Sequence, residues 1–261
     1  MIRALHTSAT GMAAQESNVN TISNNIANVN TTGFKKARTE FDDLLYETLQ
    51  EAGGKSSGNT EYNVGHRVGS GAKVSATRKI NSQGAPQMTN NPYDMMVNGE
   101  GFFGVIGSNG ELKYTRDGSF NVDAQGNLVT RGGQRVFPGI VVPPNIMRLG
   151  VSESGQVEAY TRESVEPIAL GQIPVFTFVN PTGLRSEGGN LMAATVGSGQ
   201  AIQNGPGENG SGVIMQGAIE SSNVNVMNEM TDLIKAQRAY EMNSKVMGVA
   251  DQMLQTVNNI R

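Results

Sequence analysis

Apolar residues spaced seven apart mark both ends of this chain, and the pattern does not continue through the middle. A helix with so narrow an apolar stripe cannot bury it alone and has to pack against a partner helix. The nearest partner is the other end of the chain, so we expect the two ends to meet with the middle inserted between them. We call these residues the assembly seam: Leu5, Met12, Val19, Ile22, Ile26, Val29, Val226, Met230, Leu233, Tyr240, Met247, Met253 and Leu254.

Two interpretations of the assembly seam remain open. The terminal helices form either a hairpin within one chain, packed on the rest of the molecule, or the shared core of an oligomer. The faces beside the seam carry Asn, Gln, Ser and Thr in place of dense Lys and Glu. Such faces pack against neighbours without burying unpaired charge, which favours the oligomer.

Composition excludes several classes of protein. The 261 residues carry a net charge of −3 and no basic patch, which argues against nucleic-acid binding. No run of about 18 apolar residues occurs, so we expect no membrane insertion. The absence of cysteine excludes disulfides and thiolate metal sites. The first residues lack the apolar core and cleavage site of a secretory signal, so no cleaved signal peptide is expected.

The patterning predicts an α+β fold in three parts. Residues 1–33 and 222–261 form a terminal helical core, paired like a coiled coil. Residues 34–72 connect this core to the rest through a short amphipathic helix at Phe41–Leu49 and an extended Gly-rich loop. Residues 73–221 form a mainly antiparallel β domain on the outside. The first helix is expected to stop at Gly33, and the last to begin near Asn225, a good N-cap residue.

Three segments of the β domain share one hairpin design. Each places a polar residue and then Gly110, Gly126 or Gly155 between two apolar β-formers. A glycine at this point supplies the positive φ that hairpins of three to five residues require. Further strands are expected at 72–80, 95–97, 139–142 and 173–179.

The sequence predicts no catalytic residue, no cofactor and no metal site. The pattern of the dinucleotide-binding fingerprint occurs at Gly99-Glu100-Gly101-Phe102-Phe103-Gly104. That site requires a helix directly after the glycines, but here a strand and a hairpin are expected to follow. The simpler interpretation is a tight turn that buries Phe102 or Phe103. The two histidines are far apart, the carboxylates are scattered, and the methionines of the last helix have the spacing of packing residues. We therefore expect a protein that is not an enzyme.

Several motifs resemble those of the bacterial flagellar rod and hook proteins, over the whole length of the chain. The N-terminal motif is Asn24-Asn25-Ile26-Ala27-Asn28-Val29-Asn30-Thr31-Thr32-Gly33-Phe34-Lys35. The central motifs are Asn98-Gly99-Glu100-Gly101-Phe102-Phe103 and Tyr114-Thr115-Arg116-Asp117-Gly118-Ser119-Phe120. The C-terminal motifs are Ser222-Asn223-Val224-Asn225-Val226, Gln237-Arg238-Ala239-Tyr240-Glu241 and Asp251-Gln252-Met253-Leu254. As family signature residues we take Asn28, Thr32, Gly33, Phe34, Gly99, Gly101, Phe102, Phe103, Asp117, Gly118 and Phe120.

The resemblance implies a structural subunit of a hollow helical tube that crosses the periplasm as a driveshaft. Its partners would be further copies of itself, proximal rod and hook proteins at its ends, the surrounding ring proteins that act as a bushing, and the flagellar export apparatus. In this family the terminal helices line the inside and the β domain forms the wall. The modest length favours a rod subunit over the hook subunit, which usually carries an added outer domain, and leaves other rod paralogues as alternatives.

Two other classes of function compete with a structural role. A glycan hydrolase needs a catalytic constellation, and a secreted glycan-binding protein needs an exposed aromatic platform, yet tryptophan is absent. Neither class explains two heptad-patterned ends. The polar segment Glu51–Gly71 is expected to bridge axially adjacent subunits and so to stiffen the tube, because a loop this long has little to bind within one compact subunit.

Overall fold

A computed structural model describes most of the chain, with one helix at each end and short strands between them, so the fold is α+β. The described residues are 2–53, 55–57, 60–61, 63–107, 109–161 and 166–259. The chain divides into two compact units. The helical unit comprises Met1–Ala27, Ala37–Arg78 and Asn225–Arg261, and the β-rich unit comprises Asn28–Lys36 and Lys79–Val224.

Two long helices, α1 (Ile2–Ala27) and α2 (Val226–Asn259), dominate the helical unit and pack against each other. They run antiparallel, because Asn25 near the end of α1 contacts Glu229 near the start of α2, while Gly11 approaches Asn243. The side chain of Asn225 accepts hydrogen bonds from the N–H groups of the second and third helical residues, at 3.1 and 3.3 Å. The predicted N-cap is therefore confirmed.

The first helix ends earlier than the sequence predicts. It stops at Ala27, and a turn follows in which Gly33 has a φ of +67°. Gly33 does adopt the left-handed conformation, but it lies six positions beyond the helix and serves the β-rich unit instead. Val29 of the assembly seam consequently falls outside the helix.

Strands replace the short helix expected at Phe41–Leu49, so that prediction was wrong. The strands introduced by this part of the chain are β1 (Ala37–Asp43), β2 (Tyr46–Gln50), β3 (Lys55–Ser57), β4 (Thr60–Glu61), β5 (His66–Gly69) and β6 (Ala72–Lys79). They pair as β1–β6, β2–β5 and β3–β4. Pairing with residues distant in sequence supplies the backbone hydrogen bonds that a helix would have made locally. Within the expected Gly-rich loop, the structure has the strands β3, β4 and β5. Residues 54, 58, 59 and 62 of this loop lie outside the described part of the chain.

The β-rich unit is built from antiparallel pairs of short strands. Its strands are β7 (Pro86–Met88), β8 (Met95–Asn98), β9 (Phe102–Ile106), β10 (Leu112–Thr115), β11 (Asn121–Val122), β12 (Leu128–Val129), β13 (Arg135–Val136), β14 (Ile146–Val151), β15 (Gln156–Thr161), β16 (Ile168–Gln172), β17 (Val175–Thr177), β18 (Arg185–Gly188), β19 (Leu191–Ala193), β20 (Ile202–Asn204), β21 (Val213–Gln216) and β22 (Ala218–Glu220). The main sheet has the order β11-β12-β13-β9-β10-β19-β18, and β17 joins β9 to β20. Smaller sheets are β14-β15-β16, β8–β21 and β7–β22. A 3₁₀ turn spans Pro181–Gly183.

The three predicted glycine hairpins are confirmed. Gly110, Gly126 and Gly155 have φ values of +78°, +86° and +77°, and each donates its N–H to a carbonyl three residues earlier. Positive φ is accessible to glycine without the steric cost that a Cβ imposes. The strand expected at 139–142 is reduced to one isolated bridge between Val141 and Asn127.

Large apolar side chains fill the interior of the β-rich unit. The main core consists of Met95, Val97, Phe103, Val105, Phe120, Leu128, Val136, Ile140, Val142, Leu149, Val157, Ile173, Val175 and Ile214. A second cluster contains Phe102, Tyr114, Phe176, Leu184 and Met192, with aromatic rings packed edge to face. The tight turn expected around Gly99 and Gly101 buries both phenylalanines that follow it.

Candidate functional site

The contact face of α2 toward α1 alternates small or polar residues with larger apolar ones. Glu229, Ala236 and Ala250 are buried. Leu233, Asn243, Met247 and Leu254 are half-buried along the same stripe. Steps of three and four residues along this stripe keep it on one side of the helix. The stripe thus has heptad spacing, but half of it carries little apolar surface.

The facing side of α1 is lined by small and polar residues as well. Ser8, Ile22 and Asn25 are buried, and Gly11 lies between the first two. A Cβ added to Gly11 would stand 2.8 Å from the Nδ2 atom of Asn243, which is closer than real side chains approach. Small residues at this point allow the two helix backbones to come close together.

Asn25 is the polar centre of the helical unit. Its Nδ2 donates hydrogen bonds to the carboxylate of Glu229 at 3.0 Å and to the carbonyl of Ala37 at 2.8 Å. Its Oδ1 accepts from the N–H of Ala37 at 2.9 Å. A second link joins the hydroxyls of Thr39 and Thr21 at 3.0 Å. One amide side chain therefore fixes α1, α2 and the start of β1, and every one of its buried polar atoms is used.

The members of the assembly seam differ in how far the single chain buries them. Ile22 is buried. Half-buried members are Leu5, Met12, Val19, Ile26, Val29, Leu233, Met247 and Leu254. Exposed members are Val226, Met230, Tyr240 and Met253. The role of the seam in assembly stays a prediction.

The outer surface of α2 carries many exposed apolar side chains. They are Val226, Met227, Met230, Ile234, Tyr240, Met242, Val246, Val249, Met253 and Val257, with exposed fractions between 38% and 74%. Scattered apolar residues on a surface need no explanation, whereas a continuous set along one helix marks an interaction surface. Part of the outer surface of α2 is therefore apolar, while the contact between the two helices is partly polar.

A buried cluster of three charged side chains lies in the β-rich unit. Glu220 accepts from the ammonium of Lys35 at 2.5 Å and from the guanidinium of Arg116 at 3.3 Å. The side chains of all three are at most 5% exposed. Two cations against one carboxylate leave a net positive charge, which the carbonyls of Ser82, Val97 and Gly99 help to offset by accepting hydrogen bonds.

Burial dominates the electrostatics of this cluster. It lowers the pKa of Lys35 below its usual value, and the hydrogen bond to Glu220 opposes that shift. The pKa of Arg116 is lowered by burial too, again opposed by Glu220. The Nε atom of Arg116 has no hydrogen-bond partner among the described atoms, and the guanidinium lies 5.3 Å from the centre of the Phe102 ring. A carboxylate in this position is required to keep two buried cations tolerable.

The family signature residues converge around this cluster. Gly33 donates its N–H to the carbonyl of Glu220 at 2.7 Å, and a Cβ on Gly33 would stand 2.7 Å from the backbone of Arg116. Asn190 donates both to the carbonyl of Thr32 and to Asp117, each at 3.1 Å. These hydrogen bonds join the segment around Thr32 and Gly33 to the central motif around Arg116 and Asp117 within the β-rich unit.

The remaining signature residues are fixed by close packing. A Cβ on Gly118 would stand 1.5 Å from the carbonyl oxygen of Met95, and one on Gly101 would stand 2.1 Å from Val175. Gly99 has a φ of +117°, and the ring of Phe103 packs edge to face on Phe120. The other members are Asn28, which accepts from the hydroxyl of Thr31, and the half-buried Phe34. The signature thus describes one packed region.

Sequence reasoning missed the charges at the centre of this region. Lys35 and Arg116 stand inside the quoted motifs but were not chosen as site residues, and Glu220 precedes the C-terminal motif by two positions. Opposite charges far apart in sequence carry no pairing signal. Lys36 directly follows Lys35 and Asp117 directly follows Arg116, so the sequence offers no signal that marks either cation as buried.

The described residues contain no group of three or more His, Cys, Asp or Glu side chains that could hold a metal ion. Grooves in the described part of the β-rich unit include one of about 260 Å³ beside Glu220 and Ser222 and one of about 410 Å³ between Asp123 and Pro143. Within the described chain, neither helix is long and apolar enough to cross a bilayer.

Three segments match families of flagellar proteins. Residues 5–35 match the family described as "Flagella basal body rod protein". Residues 96–159 match "Flagellar hook protein FlgE/F/G D1 domain". Residues 215–260 match "Flagellar basal body rod FlgEFG protein C-terminal". These segments contain the helix ends, the central motifs and Glu220.

Whole-length relatives carry consistent names. The chain is 47% identical to "Flagellar basal-body rod protein FlgG" of Borreliella burgdorferi, over 100% of this chain and 99% of that protein. It is 45% identical to the protein of the same name in Caulobacter vibrioides, over the full length of both. It is 30% identical to "Flagellar hook-basal body complex protein FlhP" of Bacillus subtilis, again over the full length of both.

Proposed function

Because the chain belongs to the flagellar basal-body rod protein family, we propose that this structural rod subunit builds the distal part of the rod. In this proposal copies of the chain polymerise into a hollow helical driveshaft that crosses the periplasm and transmits torque from the motor to the hook. The higher identity to proteins named FlgG than to FlhP supports the distal position over a proximal or hook-type one.

The observation that carries the proposal is the apolar outer surface of α2. A helix pair that has already formed its internal contact leaves Met227, Met242 and Met253 each more than half exposed. Exposed apolar area of this extent is unfavourable in water and favourable in contact with further helices. The helix pair is thus suited to pairing, coiled-coil-like, with copies of itself at the centre of a tube.

A second feature supports contact between subunits along the tube axis. The β2–β5 ribbon has only two strands, and Tyr46 and Leu49 within it are 57% and 54% exposed, as is Leu45 just before it at 88%. A two-stranded ribbon is marginally stable alone, so a neighbour that covers these side chains would stabilise it. We propose that the segment 51–71 and this ribbon bridge axially adjacent subunits and stiffen the rod.

The proposed partners follow from this position. Proximal rod proteins and hook proteins would contact the two ends of the polymer, ring proteins would surround it as a bushing, and the flagellar export apparatus would deliver the subunits. No cofactor, catalytic residue or nucleic acid is part of the proposal. The buried ion cluster is better suited to holding the β-rich unit rigid than to chemistry, because all three charges are shielded from solvent.

Electron microscopy of basal bodies tests the proposal. Cells in which this chain is depleted should yield basal bodies whose rods are shortened and carry no hook, and re-expression should restore both. Rods of normal length with attached hooks would contradict the proposal. A full-length rod without a hook would place the subunit at the hook side.

A further inference from the structure

Three segments of the β-rich unit lead directly into the helical unit along the chain. Residues 34–36 precede β1, residues 80–82 follow β6, and residues 221–224 precede α2. They are far apart in sequence, yet the first two are both bound by the side chain of Asn223, which belongs to the third. We call these three stretches the junction segments.

The half-buried side chain of Asn223 uses both ends of its amide on backbone groups of the other junction segments. Its Oδ1 accepts from the N–H of Lys36 at 2.8 Å. Its Nδ2 donates to the carbonyl of Ile80 at 2.8 Å and to the carbonyl of Ser82 at 3.0 Å. The backbone N–H of Asn223 also donates to the carbonyl of Phe34 at 3.4 Å. An amide suits this place because it can donate and accept at once.

Backbone hydrogen bonds connect the junction segments around this amide. The N–H of Ile80 donates to the carbonyl of Lys36 at 2.8 Å, and the N–H of Ser221 donates to the carbonyl of Ala85 at 3.0 Å. A Cβ added to Gly84 would stand 1.9 Å from the carbonyl oxygen of Ser221, so the backbones approach closely here. The three segments therefore form one packed group within the β-rich unit.

The buried ion cluster holds the same segments through charged side chains. The ammonium of Lys35, in the first junction segment, donates to the carbonyl of Ser82 in the second at 2.8 Å. It also pairs with Glu220, which lies directly before the third segment. The ion cluster and Asn223 thus act on the same three stretches of backbone, one with charges and the other with a neutral amide.

We propose that Asn223 is the positioning residue of this junction, an inference that rests on the proposed polymer. The amide holds the junction segments together, so that they move as one body and transmit force, and do not bend as three separate linkers. Short segments that are exposed to solvent and make few contacts open locally at low cost, whereas hydrogen bonds across all three raise that cost. A rod subunit under torque requires a connection of the second kind.

Hydrogen exchange of the full-length monomer tests this role with two variants. Asn223→Ala removes the amide, and Asn223→Leu keeps a branched side chain of similar size that neither donates nor accepts. In both variants we expect the amides of Ile80 and Ser221 to exchange at least about tenfold faster than in the wild type, with β9 unchanged. These two amides are informative because neither donates to Asn223 in the structure.

Asn180→Ala is the matched control within the β-rich unit. Asn180 likewise uses both ends of its amide, since its Nδ2 donates to the carbonyl of Gly197 at 2.9 Å and its Oδ1 accepts from the hydroxyl of Thr182 at 2.5 Å. None of these groups belongs to a junction segment. The control should therefore leave the exchange of Ile80 and Ser221 as it is in the wild type.

Three results of the exchange experiment would overturn the inference. Faster exchange of Lys36 alone would mean that each link opens independently and that the amide does not hold the group together. Wild-type exchange in Asn223→Leu would mean that the side chain acts by its volume and not by its hydrogen bonds. An equal loss of protection in β9 would mean that Asn223 contributes to the stability of the whole unit.

The tubes formed by these variants give a second readout. Because Asn223 lies outside the helix contact and the apolar core, Asn223→Leu should polymerise, and its tubes should bend more in electron micrographs than those of the wild type and of Asn180→Ala. Equal stiffness of all three would overturn the mechanical role. Wild-type protein that forms no tube would instead contradict the proposed function, and exchange in the monomer would still decide whether Asn223 holds the junction segments.

Discussion

The two units of this molecule bury different kinds of residue. The β-rich unit encloses Phe103, Phe120 and other large apolar side chains, and it also holds the buried ion cluster of Lys35, Arg116 and Glu220. The helical unit buries Ser8 and Asn25 of α1 and Glu229 and Ala236 of α2, and leaves most methionines and valines of α2 exposed. Burial of apolar area stabilises a fold in proportion to the area. We therefore expect the β-rich unit to be stable by itself and the helix pair to gain stability from neighbouring copies in the proposed polymer.

Loss of the central carboxylate should have the largest effect. Glu220→Gln keeps the shape of the side chain but leaves Lys35 and Arg116 buried without an anion. Breaking one partner of a buried ion pair costs about 3–5 kcal/mol. Denaturant unfolding followed by a probe in the β-rich unit should show this loss. A change of under about 1 kcal/mol would mean that the cluster is hydrated and not a structural element.

A charge in the helix contact should affect the helical unit and leave the β-rich unit unchanged. Leu233→Asp places a carboxylate among half-buried residues of α2, at a cost of several kcal/mol, about 3–5 by the usual penalty for an unpaired buried charge. We expect loss of polymer and of motility, with the unfolding transition of the β-rich unit unchanged. Ser244→Asp, at an exposed position of α2, is the matched control and should assemble. Normal assembly of the Leu233 variant would remove that residue from the assembly seam.

Widening the helix contact should have a smaller effect of the same kind. In Gly11→Leu the new side chain meets Asn243, whose amide already stands 2.8 Å from the position of a Cβ. Overpacking of this kind costs about 1–3 kcal/mol. Circular dichroism should show helix loss at lower temperature, while the β signal persists. Gly248→Leu, in α2 where an added Cβ would meet nothing within 4 Å, is the matched control for replacing a helical glycine. Equal melting of both variants would show that the helices are not in close contact at Gly11.

Removal of the surplus cation should cost little. Lys35→Met leaves a neutral Arg116–Glu220 pair, so we expect a change of about 1 kcal/mol or less. The folded-state pKa of Lys35 is lowered by burial, so between that value and 10.5 the unfolded chain binds more protons. The stability of the wild type should accordingly rise with pH through this window relative to the variant. Parallel pH curves for the two proteins would contradict a buried, charged Lys35.

Shortening the β-ribbon part of the helical unit should leave the helix contact and the β-rich unit stable. Deletion of residues 52–70 touches neither the helix contact nor the apolar core, so unfolding, export and polymerisation should be unchanged. The tubes should become curved or flexible in electron micrographs, because the proposed axial bridge is gone. A linker of the same length rich in Gly and Ser is the control, and it should also give flexible tubes. Straight, stiff tubes from the deletion would show that the segment is a tolerated surface loop.

Sequence reasoning predicted the elements that depend on local signals. A glycine with positive φ and an N-cap residue depend only on the residue itself and its immediate neighbours. The structure confirms both kinds of prediction, at Gly110, Gly126, Gly155 and Asn225. The strand at Phe41 was mistaken for a helix because its pairing partner, β6, lies about thirty residues further on. The spacing of apolar residues within a segment does not show whether its backbone pairs with a strand that is distant in sequence.

The sequence predicted the heptad spacing of the residues in the helix contact, but not which kinds of residue line it. A search for apolar residues finds Leu233 and Met247, which do line the contact. It passes over Ser8, Asn25, Glu229 and Ala236, because close approach of two backbones requires small residues and a satisfied polar pair. It also assigns Met253 to the seam, although its side chain is exposed in the single chain. The sequence alone does not show which face of α2 packs against α1, so it does not show that Met253 lies outside this contact.

Hydrogen exchange of the monomer and of the polymer tests the contrast between the two units most directly. In the monomer, amides of β9 should already be strongly protected, while those of α2 should exchange at least about 100-fold faster than β9, because local stability follows local burial. In the polymer, α2 should gain at least about 100-fold protection and β9 should not change. Equal protection of α2 in monomer and polymer would show that the helix pair is complete by itself and would contradict the account.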